Sequence, residues 1–374
     1  MPARNEAAHL NAALDALADS VDLRGRLLPA NSFEILLLLN NCTDDSLHVA
    51  VRWQLAHPAV ALHVIERALP AHIAHVGTAR RLLMDTAWLR LRGRAGTVIL
   101  STDADTSVTR DWIAQNLLAV RQGAHAVGGA IHFAEGELES LPQGARDAFR
   151  RDARYQSLMA ELEHWLDPQA GDPWPRHLQH FGASLACTPE MYARSGGMPA
   201  IDSLEDVAFV DALRRIDARL RHAPPVVVYS SARMDGRAGM GLSNQLRQWQ
   251  RMSDGSVEHS VLSCAWLTHR FRALRHLREF CRAHEFSAVF PCPPEWRARL
   301  REVHHERLPV GRFLAEIDCD RLMEESFRGA RYGEIGQVCR EITVALGMLK
   351  MTGTFHRDIA ASRDFALAEA GSGD

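Results

Sequence analysis

The chain of 374 residues is 47% hydrophobic and 24% charged, with a formal net charge of −3. That is material for one large domain plus an appendage, and it excludes a disordered or fibrous chain. With no long-range field to gather a polyanion, nucleic acid is a poor partner, and nothing in the balance argues for a membrane surface.

Short apolar runs alternate with segments of period 3.6, the pattern of strands joined by crossover helices in a mainly parallel sheet. Asn5 is expected to cap a helix whose apolar face is Ala8, Leu10, Leu14 and Leu17. Phe33 to Leu39 predicts a fully buried strand ending in the turn formers Asn40, Asn41, Asp44 and Asp45. A helix over Leu47 to Leu55, a strand over Val60 to Ile65 and a helix over Val76 to Leu91 follow. Thr97 to Leu100 predicts the strand that presents Asp103 and Asp105, and Asp111 to Val120 the helix that closes this unit. Ala126 to Phe133 predicts a strand and Ala145 to Leu166 a helix, with a loop near Pro168 to Pro175. After a turn at Pro224-Pro225, Val226 to Tyr229 completes the sheet. Past residue 243 strand signals fade, and Val261 to His284, Val310 to Ser326 and Ile335 to Leu349 predict amphipathic helices. The expected division is therefore 1–242 and 243–374, with a frayed end at Glu369 to Asp374.

Seven cysteines, Cys42, Cys187, Cys264, Cys281, Cys292, Cys319 and Cys339, form no Cys-x-x-Cys pair, which points to reduced thiols rather than a zinc site. No charged-then-apolar leader opens the sequence, and no window approaches the roughly 18 apolar residues of a membrane span, so the cytoplasm is the expected location.

Five polar clusters stand out: Pro2-Ala3-Arg4-Asn5-Glu6, Asn40-Asn41-Cys42-Thr43-Asp44, Val76-Gly77-Thr78-Ala79-Arg80, Thr102-Asp103-Ala104-Asp105 and Leu204-Glu205-Asp206. Four of them fall at strand carboxyl ends or at the helix starts beside them, where open α/β sheets bind ligands. Asp103 and Asp105 point the same way if their segment is extended, so both carboxylates could reach one hard cation, Mn²⁺ or Mg²⁺. A polar turn at a strand end is the ordinary alternative.

In this order the clusters resemble a family 2 glycosyltransferase over roughly residues 1 to 240. The resemblance implies an α/β GT-A-type fold, a mainly parallel sheet flanked by helices, with the C-terminal helices as an appendage. It implies inverting transfer of a sugar from a UDP- or GDP-sugar to a small or soluble acceptor, with the cation bridging the donor phosphates. Pro2, Ala3, Arg4 and Glu6 would hold base and ribose, Asn41 and Asp44 the ribose or base, and Arg80 a phosphate or carboxylate. Each has a plainer reading: Glu6 as a helix-start acid, Asp44 as an Asx turn and cap, Arg80 as a solvated helix residue. Asp103 and Asp105 would hold the metal. Asp206 would be the base that takes the acceptor proton, with Glu205 orienting substrate; an acidic helix start is the alternative. Gly182, Ala183 and Gly197 resemble the floor of the acceptor and donor-sugar pocket, and Arg233 and Arg237 could fold over the phosphates. His132, His180 and His222 are conceivable third metal contacts.

Two departures matter. The opening motif should follow a buried strand, yet only Met1 precedes it, so the first strand is expected to be missing or replaced by another segment. Gln245-Leu246-Arg247-Gln248-Trp249 lacks the Gln-x-x-Arg-Trp spacing of processive synthases, which favours a single transfer. A sugar nucleotidyltransferase would open with a glycine-rich, arginine-containing loop and a supporting lysine, and the only lysine here is Lys350. A degenerate nucleotide-binding or assembly protein is the other alternative: the missing strand argues for it, the two acidic pairs against it.

Overall fold

A computed structural model describes residues 1–134, 136–231, 246–249, 251, 259–283, 296, 300 and 308–370, with 353–370 as backbone only. The first unit runs β1 (Pro2–Ala3), α1 (Leu10–Ala18), β2 (Ile35–Asn40), α2 (Ser46–Ala56), β3 (Leu62–Arg67) and α3 (Val76–Leu91). β1, β2 and β3 form a parallel sheet in that order. The first strand is thus not missing: Pro2 and Ala3 pair with Leu38 and Leu39, and the Leu38 amide donates to the Met1 carbonyl at 3.1 Å. Proline is tolerated at the start of a strand because the lost donor matters least there.

β2 shows why its apolar run is continuous. Leu37 and Leu39 face a core shared with α1 and α2, while Leu38 faces Ala79 and Leu83 of α3. A strand covered on both sides has no polar alternation. Asn5 does not cap α1 as expected. It sits in the left-handed region at φ 55°, and its side chain is taken by Thr43, whose amide donates to Asn5 Oδ1 at 2.7 Å. The helix starts at Leu10.

The chain continues through β4 (Ile99–Ser101), β5 (Thr106–Val108), α4 (Trp112–Arg121), β6 (Ala126–Phe133), α5 (Glu137–Ser140), α6 (Gln143–Leu166), β7 (Leu185–Cys187), α7 (Pro189–Arg194), α8 (Glu205–Arg215) and β8 (Leu220–Ser230). The five-stranded sheet has the order β4-β7-β6-β8-β5, with β6 and β8 parallel and the other pairings antiparallel. The α/β class stands, with parallel pairing throughout the first sheet and mixed pairing in the second. Pro224-Pro225 makes no turn before the last strand. The ladder passes from Gly129–Ala223 to Ala130–Val227, so both prolines lie in a bulge inside β8, where no donor is required of them.

Beyond the sheet lie β9 (Ser260–Leu262), α9 (Cys264–Ala283), α10 (Val310–Glu316), α11 (Cys319–Ser326), β10 (Tyr332–Glu334) and α12 (Ile335–Ala370). The segment expected as one helix from Val310 to Ser326 is two, parted at Asp318 with φ 52°. The antiparallel β9–β10 pair carries no alternation visible over three residues. Tyr155, Leu162 and Leu166 of α6 share a core with Leu267 and Phe271 of α9 and with Val338 and Ile342 of α12. α10 docks on α8: Asp217 accepts from the Val310 and Gly311 amides at 2.8 Å each, and a Cβ on Gly311 would lie 1.8 Å from the Arg214 carbonyl oxygen.

A buried polar knot ties the loop after α6 to β8. Asp172 accepts from His222 Nδ1 at 2.7 Å, the His222 amide at 2.9 Å, Arg176 at 2.9 Å and Arg221 at 3.0 Å. Arg176 also donates to Glu163 of α6 at 2.9 Å. Burial pushes the Asp172 carboxyl up, but its bond to His222 and the neighbouring charges of His222 and Arg176 outweigh this and hold it at about 2. A carboxyl lowered on folding contributes stability that is complete above the unfolded range near pH ~4 and lost as pH falls from about 4 to about 2. Asp172→Asn is expected to lower Tm at neutral pH and to flatten its slope across that window. Thermal melts retaining the wild-type slope would show that another group carries the acid sensitivity.

Candidate active site

Arg80 lies one turn into α3 and is buried, 3% exposed. Its Nε donates to Glu205 Oε1 at 3.1 Å, Nη1 to Ser101 Oγ at 2.6 Å and to the Gly182 carbonyl at 2.8 Å, and Nη2 to Asp103 Oδ1 at 2.9 Å. One planar guanidinium therefore joins α3, the end of β4, the Asp103 turn, the segment before β7 and the start of α8. Burial works against its charge, yet Asp103, Glu205 and Asp206 prevail and raise its pKa above the ordinary value. The approach is close enough that Gly182 must be glycine: a Cβ there would sit 2.3 Å from Arg80 Cζ.

Gly77, at the start of α3, leaves room for protein backbone, since its Cβ would meet the Ile201 carbonyl oxygen at 2.0 Å. The His75 ring accepts from the Thr78 amide at 3.3 Å and caps the helix. The arginine fork expected to meet a phosphate or carboxylate is taken by the carboxylates of Asp103 and Glu205, with Ser101 and the Gly182 carbonyl.

The acidic pair divides by environment. Leu204 holds the left-handed region at φ 56° and turns the chain into α8. Glu205 points inward onto Arg80 and is 4% exposed; burial pushes its carboxyl up against the pull of Arg80. Asp206 is half-buried, and its Oδ2 accepts from the Gly182 amide at 2.7 Å and its Oδ1 from the Val207 amide at 2.8 Å. The Gly182 peptide is thus gripped on both sides, amide by Asp206 and carbonyl by Arg80. Ser101 Oγ adds a bond to that carbonyl at 3.1 Å.

Burial alternates from Ala104, which is 2% exposed, to half-buried Asp103 and Asp105, so both acids face away from the core. Arg80 takes Asp103 Oδ1, and Thr106 Oγ1 approaches Asp105 Oδ1 at 3.5 Å. Two buried oxygens nearby, Asn40 Oδ1 at the end of β2 and Thr102 Oγ1 just past β4, have no partner among the described residues. Orphaned buried polar atoms call for an explanation, and a ligand at the strand ends is one.

The remaining expected residues are placed as follows. Pro2 and Ala3 are in β1. Arg4 donates to the Ala74 carbonyl at 3.1 Å, and Glu6 is buried, its amide donating to Ser46 Oγ at 2.9 Å. Asn41 exchanges both side-chain bonds with the Leu69 backbone, at 3.0 and 2.9 Å. Asp44 accepts from the Ala7 amide at 3.0 Å, and its Oδ1 accepts from the Ser46 amide at 3.1 Å and Ser46 Oγ at 2.6 Å, an Asx turn before α2, whose N-cap Asp45 makes no side-chain capping bond. Ala183 follows Gly182 in a single 3₁₀ turn. Gly197, at φ 80°, packs beside Tyr192, whose hydroxyl donates to Asp85 of α3 at 2.5 Å. Arg233 and Arg237 lie outside the described residues.

The histidines are committed elsewhere. His222 Nε2 and His180 Nδ1 are 3.2 Å apart, and His132 lies against Tyr229 with ring centroids 6.3 Å apart. Among the described residues no group of three or more His, Cys, Asp or Glu could hold a metal, so none of the conceivable histidine contacts joins Asp103 and Asp105 in such a group. Ser101 and the Gly182 carbonyl were not legible as site groups, because a lone serine and a backbone oxygen carry no sequence signal.

No family model matches the sequence, and no curated protein matches it. The chain is similar to a mannosyltransferase from Pyrobaculum calidifontis solved with GDP-Man and Mn²⁺, at 16% identity and TM-score 0.45, covering 99% of this chain and 82% of that one. It is similar to TarS of S. aureus solved with UDP, at 15% identity and TM-score 0.42, covering 87% and 89%. A third likeness is to GalNAc-T7 with UDP, GalNAc and Mn²⁺, at 15% identity and TM-score 0.40, covering 80% of this chain and 53% of that one. At these scores the functional reading rests on this chain's own residues. No helix among the described residues is long and apolar enough to cross a membrane.

Removing Arg80 leaves Glu205 buried and unpaired, which typically costs about 3 to 5 kcal/mol. Urea unfolding of Arg80→Met is expected to show a loss of that order, partly restored in Arg80→Met/Glu205→Gln. A loss under about 1 kcal/mol, the range of an exposed pair, would mean that the guanidinium does not organise the site.

Proposed function

We propose that the chain is a metal-dependent glycosyltransferase of GT-A type that moves a sugar from a nucleoside diphosphate donor to an acceptor hydroxyl, with inversion at the anomeric carbon. One observation carries the reading: a buried arginine holds Asp103 of one half-buried carboxylate pair and Glu205 of a second acidic pair at the carboxyl ends of the strands. The two half-buried acids, Asp103 and Asp105, fit a hard divalent cation such as Mn²⁺ or Mg²⁺, which commonly takes one or two protein carboxylates and completes its shell from substrate phosphates and water. When bound, that ion neutralises charge on the leaving diphosphate.

Asp206 is the base. Its two amide hydrogen bonds aim the carboxylate, and its partial exposure leaves lone pairs accessible. The acceptor oxygen bonds to the anomeric carbon as the bond to the diphosphate breaks, and the hydroxyl proton passes to Asp206. Glu205 acts through Arg80, to which it is bonded, rather than by touching substrate. Arg80 in turn orients Asp103 and the Gly182 peptide.

A non-catalytic nucleotide-binding role is the second reading, and one observation favours it: Asn41, Asp44 and Arg80 all bond protein groups in this structure. Two substitutions separate the readings. Asp105→Asn is expected to weaken binding of UDP or GDP in the presence of Mn²⁺ at least tenfold by calorimetry; unchanged affinity removes Asp105 from the site. Asp206→Asn is expected to keep that affinity and lose sugar turnover by about a hundredfold or more, the scale of general-base catalysis. Turnover equal to wild type would reassign the base, and nucleotide binding without turnover in the wild type would favour the non-catalytic reading.

A further inference from the structure

Three large apolar side chains stand open to solvent on the two segments that meet at Asp206: Phe181 is 44% exposed, Ile201 41% and Leu204 41%. Single exposed apolar residues are ordinary on a protein surface, but these three sit on backbone that the site itself holds in place. The Phe181 carbonyl carbon belongs to the Gly182 peptide, whose amide donates to Asp206 Oδ2 at 2.7 Å. Leu204 lies two residues before Asp206, and its carbonyl accepts from the Ala208 amide at 3.0 Å in the first turn of α8. Ile201 is pinned on the start of α3, where Gly77 leaves room for its carbonyl oxygen and a Cβ would meet that oxygen at 2.0 Å. The same loop is anchored at Met198, whose carbonyl accepts from Arg81 at 3.0 Å.

Leu204 is the most telling of the three. Its φ of 56° is a conformation that glycine or asparagine adopts at less cost than leucine. Its side chain is not buried in return. Neither the backbone nor the core gains from a leucine at this position, so the physical reason for an isobutyl group there lies with a ligand. Phe181 is braced as well. Its ring lies against His180, with centroids 5.9 Å apart and planes at 24°, and His180 Nδ1 is 3.2 Å from His222 Nε2. A carboxylate flanked by segments that carry one aromatic and two aliphatic side chains suits a ligand with one polar group set in an apolar body. In the transferase reading that polar group is the acceptor hydroxyl, which gives its proton to Asp206.

We propose that Phe181, Ile201 and Leu204 set the acceptor specificity, and that the acceptor is an amphiphile with an alkyl or aryl group beside its reacting hydroxyl. The inference rests on the transferase reading above, and its test is read without donor so that the two can fail separately. The full chain is titrated by saturation-transfer NMR with methyl, hexyl and phenyl glucosides, and nucleotide plus Mn²⁺ binding is measured on the same samples. The hexyl or the phenyl glucoside should bind about tenfold or more tightly than the methyl one, as burial of the added apolar surface requires. Which of the two gains more distinguishes an alkyl from an aryl acceptor. Leu204→Asn, polar and suited to the left-handed backbone, should remove most of that gain without lowering Tm and with nucleotide affinity unchanged. Phe181→Ala should reduce the gain as well. Equal binding of all three glucosides, a gain that survives both substitutions, or nucleotide binding with no glucoside binding would overturn the specificity assignment alone. Absence of both in the wild type would overturn it together with the transferase reading.

Discussion

A single buried cation organises the centre of this protein. Arg80 is surrounded by Asp103, Glu205 and Asp206, and its raised pKa records that these charges outweigh the cost of taking a guanidinium out of water. Its planar donors span five chain segments at once, which a lysine could not do with a point charge. The glycine at 182, the inward turn of Glu205 and the half-exposed stance of Asp206 all follow from the space and hydrogen bonds that this side chain demands. The Gly182 peptide connects the two acidic pairs, because one end of it is held by Arg80 and the other by the carboxylate assigned as base.

Order along the chain was legible where local rules and tertiary context agreed. Val76–Leu91 and Ala126–Phe133 have the expected boundaries, since helical periodicity and a two-sided apolar run leave little choice. Asp103 and Asp105 face away from the core around buried Ala104, but through a turn closed by the Thr106 amide on the Asp103 carbonyl at 3.2 Å rather than through the extended backbone the sequence suggested. What escaped were long-range matters. Asn5 has every property of a helix cap, but Thr43 claims its side chain across the turn after β2. Pro224-Pro225 reads as a turn until the register shows that a partner strand can pass beside a bulge. Arg80 reads either as a fork for phosphate or carboxylate or as a solvated helix residue beside Arg81, and only packing reveals that acceptors from distant segments converge on it.

The C-terminal helices are joined to the α/β part through α6 and α8. The Asp172 knot fastens the α6 end to β8, while Asp217 caps α10 from the turn after α8. α8 begins with Glu205-Asp206 and ends against α10, so the acidic pair and the helical region sit at opposite ends of one rigid element. This gives the C-terminal region a connection to the site through α8.

The central claim is that the two acidic pairs gathered around Arg80 form a metal-dependent nucleotide-sugar site. Its most direct test is calorimetric titration of the wild-type chain with UDP and with GDP, each in Mn²⁺ and in EDTA. The account predicts saturable binding of at least one nucleotide in Mn²⁺ that disappears in EDTA. Absence of binding to both nucleotides in Mn²⁺, or binding equally strong in EDTA, would contradict it.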